Sequence, residues 1–295
     1  MLPTGAVNLG QNFNTKNETK ILNKKSVGNF NLDTDEQKEW YSINTNRSSE
    51  HLGDCLELMP LIADNSIDMI LADLPYGTTA CKWDSIIPLQ ELWKEYKRIL
   101  KPKGCIILTG TQPFTTKLIS SNYDMFKYEL IWDKVLPTGF ANAKHQPMKQ
   151  HENILVFGNG KITYNPQKIK RDKPRTYNRT HKKYEGSENL KGGHDGEDRT
   201  LEYYEPRSIQ IFSNANHKAK QHPTEKPLEL FNWLIKTYSN ENEIILDNTA
   251  GVFTTAIACL QTNRKYIVME KEKEYYNKGL KRILEWEREQ KTKLF

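Results

Sequence analysis

Long apolar runs are missing from this 295-residue chain. No stretch approaches the ~20 residues needed to span a bilayer, and no basic-then-apolar export signal opens the sequence. Membrane and secreted readings drop out, and a cytoplasmic location is expected. Cysteine is scarce as well. Cys55, Cys81, Cys105 and Cys259 stand far apart, with no C-x-x-C and no metal-like pairing with histidine. Neither a disulfide framework nor a metal site is expected, and a reducing compartment is the default. Charge of one sign is only slightly in excess, 43 Lys and Arg against 37 Asp and Glu, for a net charge of +6. That balance suits an anionic partner such as nucleic acid without requiring one. Apolar residues still make up 37% of the chain, enough to build the core of one large α/β domain.

The first 46 residues have few apolar positions and no sustained period. Asn12, Asn14, Asn17, Asn23, Asn29 and Asn31 favour turns and solvent over helix or ladder. Residues 1–46 are therefore expected to form a flexible extension and 47–295 a folded domain. From His51 the character changes. Cys55–Leu61 predicts a short helix, and the apolar run Ile67–Ala72 predicts a buried parallel strand. Leu92, Trp93, Tyr96, Ile99 and Leu100 form a helical stripe within Leu89–Leu100, stopped by Lys101-Pro102-Lys103-Gly104. Strands are expected at Cys105–Leu108, Tyr128–Trp132 and Ile154–Phe157. After residue 214 come a helix over Glu225–Tyr238, a strand at Ile244–Leu246, a helix over Thr254–Leu260 and a strand at Tyr266–Met269. A charged amphipathic helix follows from Glu272. Strands alternating with helices imply a doubly wound sheet.

Between Gly158 and Asn214 that grammar breaks. Lys161–Lys183 holds nine Lys or Arg and one Asp, and Glu185–Glu205 holds seven Asp or Glu against two Lys or Arg. With no clear period, 158–214 reads as an inserted lobe or mobile loops instead of sheet.

Three short segments carry candidate chemistry. Asp73-Leu74-Pro75-Tyr76 lies just past the C-terminal end of the first predicted strand, the edge at which open α/β sheets bind ligands. By itself the tetrapeptide reads equally well as a turn. Its functional reading rests on acceptors: the Asp73 carboxylate and the Leu74 carbonyl, held extended by Pro75, can together hold an exocyclic amine. Tyr76 can stack on a base. The second segment, Asp247-Asn248-Thr249-Ala250-Gly251-Val252-Phe253-Thr254-Thr255, follows a strand and opens a helix, as a nucleotide-binding turn does. The next strand ends in Glu270, which suits ribose hydroxyls. The third, His222-Pro223-Thr224-Glu225-Lys226-Pro227, taken alone is a helix entrance capped by Thr224.

In combination and in this order, the segments resemble the β-class amino methyltransferases of DNA. In that family a D-P-P-Y motif comes first, a target-recognition region follows, and an H-P-T-x-K-P segment leads into the Gly-rich cofactor turn. The resemblance also takes in Gly53-Asp54-Cys55, Gly77-Thr78-Thr79, Trp83-Asp84 and His151-Glu152-Asn153. It implies a Rossmann-like, S-adenosylmethionine-dependent methyltransferase fold, with a mostly parallel sheet, one antiparallel strand and a circularly permuted motif order. The methyltransferase domain would be 47–295, with 158–214 as the target-recognition and DNA-contact segment.

The implied activity is methyl transfer to the exocyclic amine of a flipped base in DNA. The aspartate heading the tetrapeptide looks like the adenine-N6 type; a cytosine-N4 enzyme is the alternative. Catalysis would fall to Asp73, Leu74, Pro75 and Tyr76. The cofactor would lie against Asp54, Cys55, Asp73, Thr224, Lys226, Asp247, Asn248, Thr249, Gly251 and Glu270, with no metal. Lys168, Lys170, Arg171, Lys173 and Arg175 would meet phosphates. Beyond DNA, the resemblance is compatible with a homodimer and with a cognate restriction endonuclease, as in restriction-modification. Leu74 replaces a proline of the motif, which a backbone-carbonyl role tolerates. Val252-Phe253 stands where the family has Ser-Gly. Glycine there lets the backbone approach the cofactor at positive φ, so the Phe253 ring is expected either to crowd the cofactor turn or to turn into the sheet–helix interface as a core residue. A DNA-binding protein with impaired turnover is the rival reading that this departure leaves.

Overall fold

A computed structural model describes residues 42–77, 85–177, 199–214 and 225–293. The expected extension up to residue 41, Thr78-Thr79, Trp83-Asp84, and His222 to Thr224 lie outside the described residues. In chain order the strands and helices begin with Ser49–Leu52 (β1), Cys55–Leu58 (α1), Ile67–Ala72 (β2) and Leu89–Ile99 (α2). Leu100–Gly110 (β3), Phe114–Ser121 (α3), Phe126–Thr138 (β4) and Lys149–Gly158 (β5) follow. Next come Ile169–Tyr177 (β6), Arg199–Tyr204 (β7), Ile209–Ile211 (β8) and Leu228–Tyr238 (α4). Ile244–Asp247 (β9), Thr254–Gln261 (α5), Lys265–Glu270 (β10) and Lys273–Lys293 (α6) complete the described elements.

Eight strands join in the order β1-β10-β9-β2-β3-β5-β4-β8. β5 alone runs against its neighbours; the other pairings are parallel. The expected mostly parallel sheet with one antiparallel strand is therefore present. Chain order reverses between β2 and β9, which are side by side with Ile70 opposite Leu246. Ligands bind outside the strand C-termini at such a switch point, and Asp73 and Asp247 both stand there.

Helices cover both faces. Ile70 and Ala72 pack with Leu92, Tyr96 and Ile99 of α2 on one side. Met69 and Leu71 pack with Leu230 and Leu234 of α4 and Ala256 of α5 on the other. A strand with no wet face needs no alternation, which explains the apolar run. Among the described residues no helix is long and apolar enough to cross a membrane. Cys55, Cys105 and Cys259 are buried free thiols.

The strand expected at Cys105 begins five residues earlier, since Leu100 already pairs with Ile67. Gly104 permits this: a Cβ there would stand 2.9 Å from the Asp68 carbonyl oxygen. The segment expected to be a lobe or loops without sheet also departs from expectation. β6 and β7 form an antiparallel ribbon, and β8 joins the main sheet beside β4. These strands have no buried face that would write an alternating pattern into the sequence: Ile169, Tyr203, Tyr204, Ile209 and Ile211 are all exposed.

Candidate active site

β2 ends at Ala72, and the next residue places its carboxylate among three donors. The Tyr76 hydroxyl donates to Asp73 Oδ1 at 2.6 Å, and the Thr109 hydroxyl, at the end of β3, donates to the same oxygen. Lys226 Nζ donates to Oδ2 at 2.6 Å. The Asp73 carbonyl accepts from Thr249 Oγ1 of the neighbouring turn at 3.1 Å. Burial, and then Asp73 beside it, pushes the Tyr76 phenol well above its usual pKa, so it stays a neutral donor. Its ring lies 5.1 Å from that of Phe114, half-buried at the mouth.

Behind Asp73 the charges alternate. The Lys226 side chain is 7% exposed and also approaches Glu152 Oε2 at 3.3 Å, while Lys134 holds Glu152 Oε1 at 3.4 Å. Burial works against a charged Lys226, but the carboxylates of Asp73 and Glu152 outweigh it and keep the ammonium pKa well above the usual value. An ion chain this enclosed stabilises little in net terms, but it fixes geometry and is costly to break.

Along the same sheet edge, acids end the adjacent strands. Asp247 accepts from the Thr249 N–H at 3.1 Å and from the Thr255 hydroxyl. Burial nevertheless lifts its pKa to about 7, with repulsion from Asp73 and Glu270 added. Asn248 accepts the Tyr96 hydroxyl at 2.5 Å. Its Nδ2 is buried and finds no acceptor among the described residues. Gly251, at φ +54°, has open space where a Cβ would stand and donates its N–H to Glu270 Oε2 at 2.7 Å. Glu270 Oε1 accepts from the Glu272 N–H; burial raises its carboxyl pKa against these two bonds. Asp54 caps α1 through the Leu56 N–H at 2.9 Å and pairs with Lys271 at 2.9 Å. Burial opposes its charge, but those partners hold its pKa below the usual value. Beside it the buried Cys55 thiol is raised by desolvation.

Residues 67–281 match the family model N6_N4_Mtase, described as DNA methylase, and the match runs from β2 through the turn to α6. The chain belongs to this DNA methylase family. It is 27% identical to the DNA adenine methyltransferase YhdJ of Escherichia coli (strain K12) over 258 residues, covering 78% of this chain and 81% of that one. Among solved structures, the M1.HpyAVI–SAM complex superposes with a TM-score of 0.54 at 20% identity, over 80% of this chain and 98% of the other. The cytosine-N4-specific PvuII DNA methyltransferase gives 0.57 at 16% identity, over 81% and 86%. At such identities the two structures speak for the fold.

In this methylase the Phe253 ring takes the second of its two expected placements, in the core. The backbone does take positive φ, +63°, but the ring does not crowd the cofactor turn. It is fully buried, 5.5 Å edge-on from Tyr276 and pressed on Gly279 of α6, where an added Cβ would stand 2.4 Å from it. The ring completes the core between the turn and α6, while the space beside Gly251 stays open.

The other expected residues divide. Asp73, Leu74, Pro75 and Tyr76 form one corner, with Leu74 buried in the core, and Asp54, Cys55, Asp247, Asn248, Thr249, Gly251 and Glu270 line the adjoining strand ends. Lys226 ends on Asp73. Thr224 lies outside the described residues. The basic residues belong to the ribbon, where Lys168 pairs with Glu205 at 2.7 Å. Arg171 donates to the Tyr203 carbonyl and stacks 3.9 Å from the centre of the Tyr204 ring; Lys170 and Lys173 are exposed. Sequence reasoning missed Thr109 and gave Glu152 no role. Thr109 ends its strand as Asp73 follows its own, and that symmetry was the available signal.

Proposed function

We propose that this methylase transfers the methyl group of S-adenosylmethionine to N6 of an adenine flipped out of DNA. One observation carries the reading: the carboxylate at the end of β2 sits at the switch point beside Tyr76, and its own carbonyl is tied to the turn after β9 through Thr249. Amine site and cofactor site thus share one hydrogen-bonded edge.

The residues fit such a cofactor. Gly251 leaves room for close approach, the Asn248 amide awaits an acceptor, and Asp54 and Glu270 present carboxylates with spare lone pairs to adenine and ribose. S-adenosylmethionine supplies an electrophilic methyl group on a sulfonium. What this chain supplies is positioning. Two Asp73 oxygens accept three hydrogen bonds from the protein, leaving acceptor capacity on Oδ2 for an amine proton. With the Leu74 carbonyl taking the second proton, the amine lone pair turns out of ring conjugation toward the methyl group. Tyr76 stacks on the base, and Lys226 and Thr109 keep the carboxylate from rotating. No strong base is required before attack; orientation and fixed charge provide the rate. The basic ribbon meets the phosphates.

Asp73 at the head of the motif favours adenine, and the fold shared with a cytosine-N4 enzyme keeps that base as the second reading. The impaired-protein reading loses its motive, because the Phe253 ring faces the core. Incubating DNA with methyl-labelled S-adenosylmethionine and separating the nucleosides tests all three. N6-methyldeoxyadenosine is expected; label in N4-methyldeoxycytidine, or none, overturns the assignment.

A further inference from the structure

The loop between β4 and β5 leaves from the catalytic corner and displays a side chain that the chemistry above does not use. Its base is built on that corner. Lys134 of β4 reaches both Glu152 and the Thr138 hydroxyl, at 3.4 and 3.3 Å, and Glu152 shares Lys226 with Asp73. Thr138 then closes the loop on the Lys149 carbonyl at 3.2 Å.

Two residues on, at most about 7 Å of chain, stands Phe140, 82% exposed. It is not on a loose strand. Gly139 turns the chain at φ +89°, and the Asn142 and Ala143 N–H groups bond back to the Gly139 and Phe140 carbonyls, both at 3.0 Å. The His145 N–H adds a bond to the Asn142 carbonyl at 2.9 Å. This is a hydrogen-bonded turn that holds an aromatic ring in water, where it contributes nothing to the core. Within the loop the charge has one sign: residues 139–149 contain Lys144, Lys149 and His145 and no carboxylate, and Asp133 at its base is taken up by Val135 and Gln150. A protein-facing apolar contact needs no such collar; a polyanion does.

We propose that Phe140 is a wedge that enters the DNA base stack and fills the gap left when the target base turns into the pocket. The proposal rests on the methyl-transfer reading. Extruding a base costs stacking and pairing; DNA-bending proteins do insert apolar side chains between base steps, and an aromatic ring stacked on the exposed bases replaces part of the lost stacking. A base that reaches Asp73 leaves its hole on the side of the duplex facing this sheet edge. The loop rooted beside Glu152 is the described segment that carries an exposed aromatic ring from that corner. Lys144 and Lys149 then lie where the flanking phosphates pass.

The test uses the full chain and a duplex bearing a methylation site mapped on plasmid DNA with the wild-type protein. If the wild type methylates no plasmid, the methyl-transfer reading fails first and separately. Single-turnover rates are measured on a fully paired duplex and on one with an abasic position opposite the target, where flipping is easier. Phe140→Ala is expected to be slower by about tenfold or more on the paired duplex and within about twofold of wild type on the abasic one. Phe140→Trp is expected to stay near wild type on both, and S-adenosylmethionine affinity to be unchanged in each variant. Wild-type rates for Phe140→Ala on the paired duplex overturn the wedge. So does an equal loss on both duplexes, or a change of oligomeric state in the variant, which would place Phe140 in a contact between protein copies.

Discussion

The catalytic corner and the β6–β7 ribbon both carry dense charge, yet they use it oppositely. At the corner Asp73, Lys226, Glu152 and Lys134 form a chain that alternates in sign, each successive pair within 3.4 Å, and are largely enclosed. Attraction there is stronger than in open solvent, and geometry is fixed. On the ribbon, Lys170 and Lys173 stand in solvent and Lys168 and Arg171 hold only surface partners, which contribute at most about 1 kcal/mol each. Enclosed charge positions a reacting group; exposed charge attracts a partner from a distance and lets it go when salt rises.

The sharpest break in that contrast comes at Asp73. Asp73→Asn keeps the shape but weakens the acceptor, and methyl transfer is expected to fall by at least about a hundredfold while S-adenosylmethionine affinity is held, as read by steady-state rates beside calorimetric titration. Asp73→Ala should be as inactive and should also melt lower, because Lys226 keeps only Glu152; an equal melting temperature would show that the ion chain is not structural.

Next in size is Phe253→Gly. Deleting a buried aromatic ring costs about 3–5 kcal/mol, and relieving a left-handed non-glycine backbone returns about 1–2. Lower stability and weaker cofactor binding are expected together. Tighter binding without a lower melting temperature would restore the crowding that the ring's position argues against.

A smaller effect distinguishes the enclosed acids by pH. The Asp247 pKa is raised to about 7 from a usual 3.8, so the folded chain holds a proton that the unfolded chain has released. Stability from this group is full below about pH 4, falls as pH rises toward 7 and is flat above. Asp247→Asn should remove that fall in denaturant melts followed across pH 4 to 8; an unchanged slope would assign it to other groups. Smallest of all, neutralising Lys170 and Lys173 should flatten the dependence of log DNA affinity on log salt by up to about two, with little change in melting temperature. Adding Lys168 and Arg171 should flatten it further but by less per residue, since each already has an intramolecular partner. A slope that does not move would leave the ribbon as solvated surface.

Legibility in the sequence followed burial. β2, β9 and β10 announce themselves because strands covered on both faces leave uninterrupted apolar residues, and Asp73, Asp247 and Glu270 could be placed because each ends such a run. β6, β7 and β8 write no period, since neither face of the ribbon is buried and β8 is three residues long at a sheet edge. Thr109 and Glu152 left only a faint signal for another reason. Their importance lies in contacts at 36 residues' separation from Asp73, and through Lys226, which is 153 residues away from it. The Phe253 side chain stayed open between two placements because a motif shows which residue is unusual at a turn and not which way its ring points.

That ring has a consequence for how the chain can change. Resting on the bare backbone of Gly279, it makes two distant positions a single steric unit in which each residue licenses the other. Gly279→Ala alone drives a methyl group into the ring, while Phe253→Gly alone opens a void. Together they could exchange bulk across the contact, so the two substitutions are expected to be epistatic, their combined effect smaller than the sum. The turn after β9 is thus bound to what the C-terminal helix will tolerate, and substitutions there are screened by a contact far away in the chain.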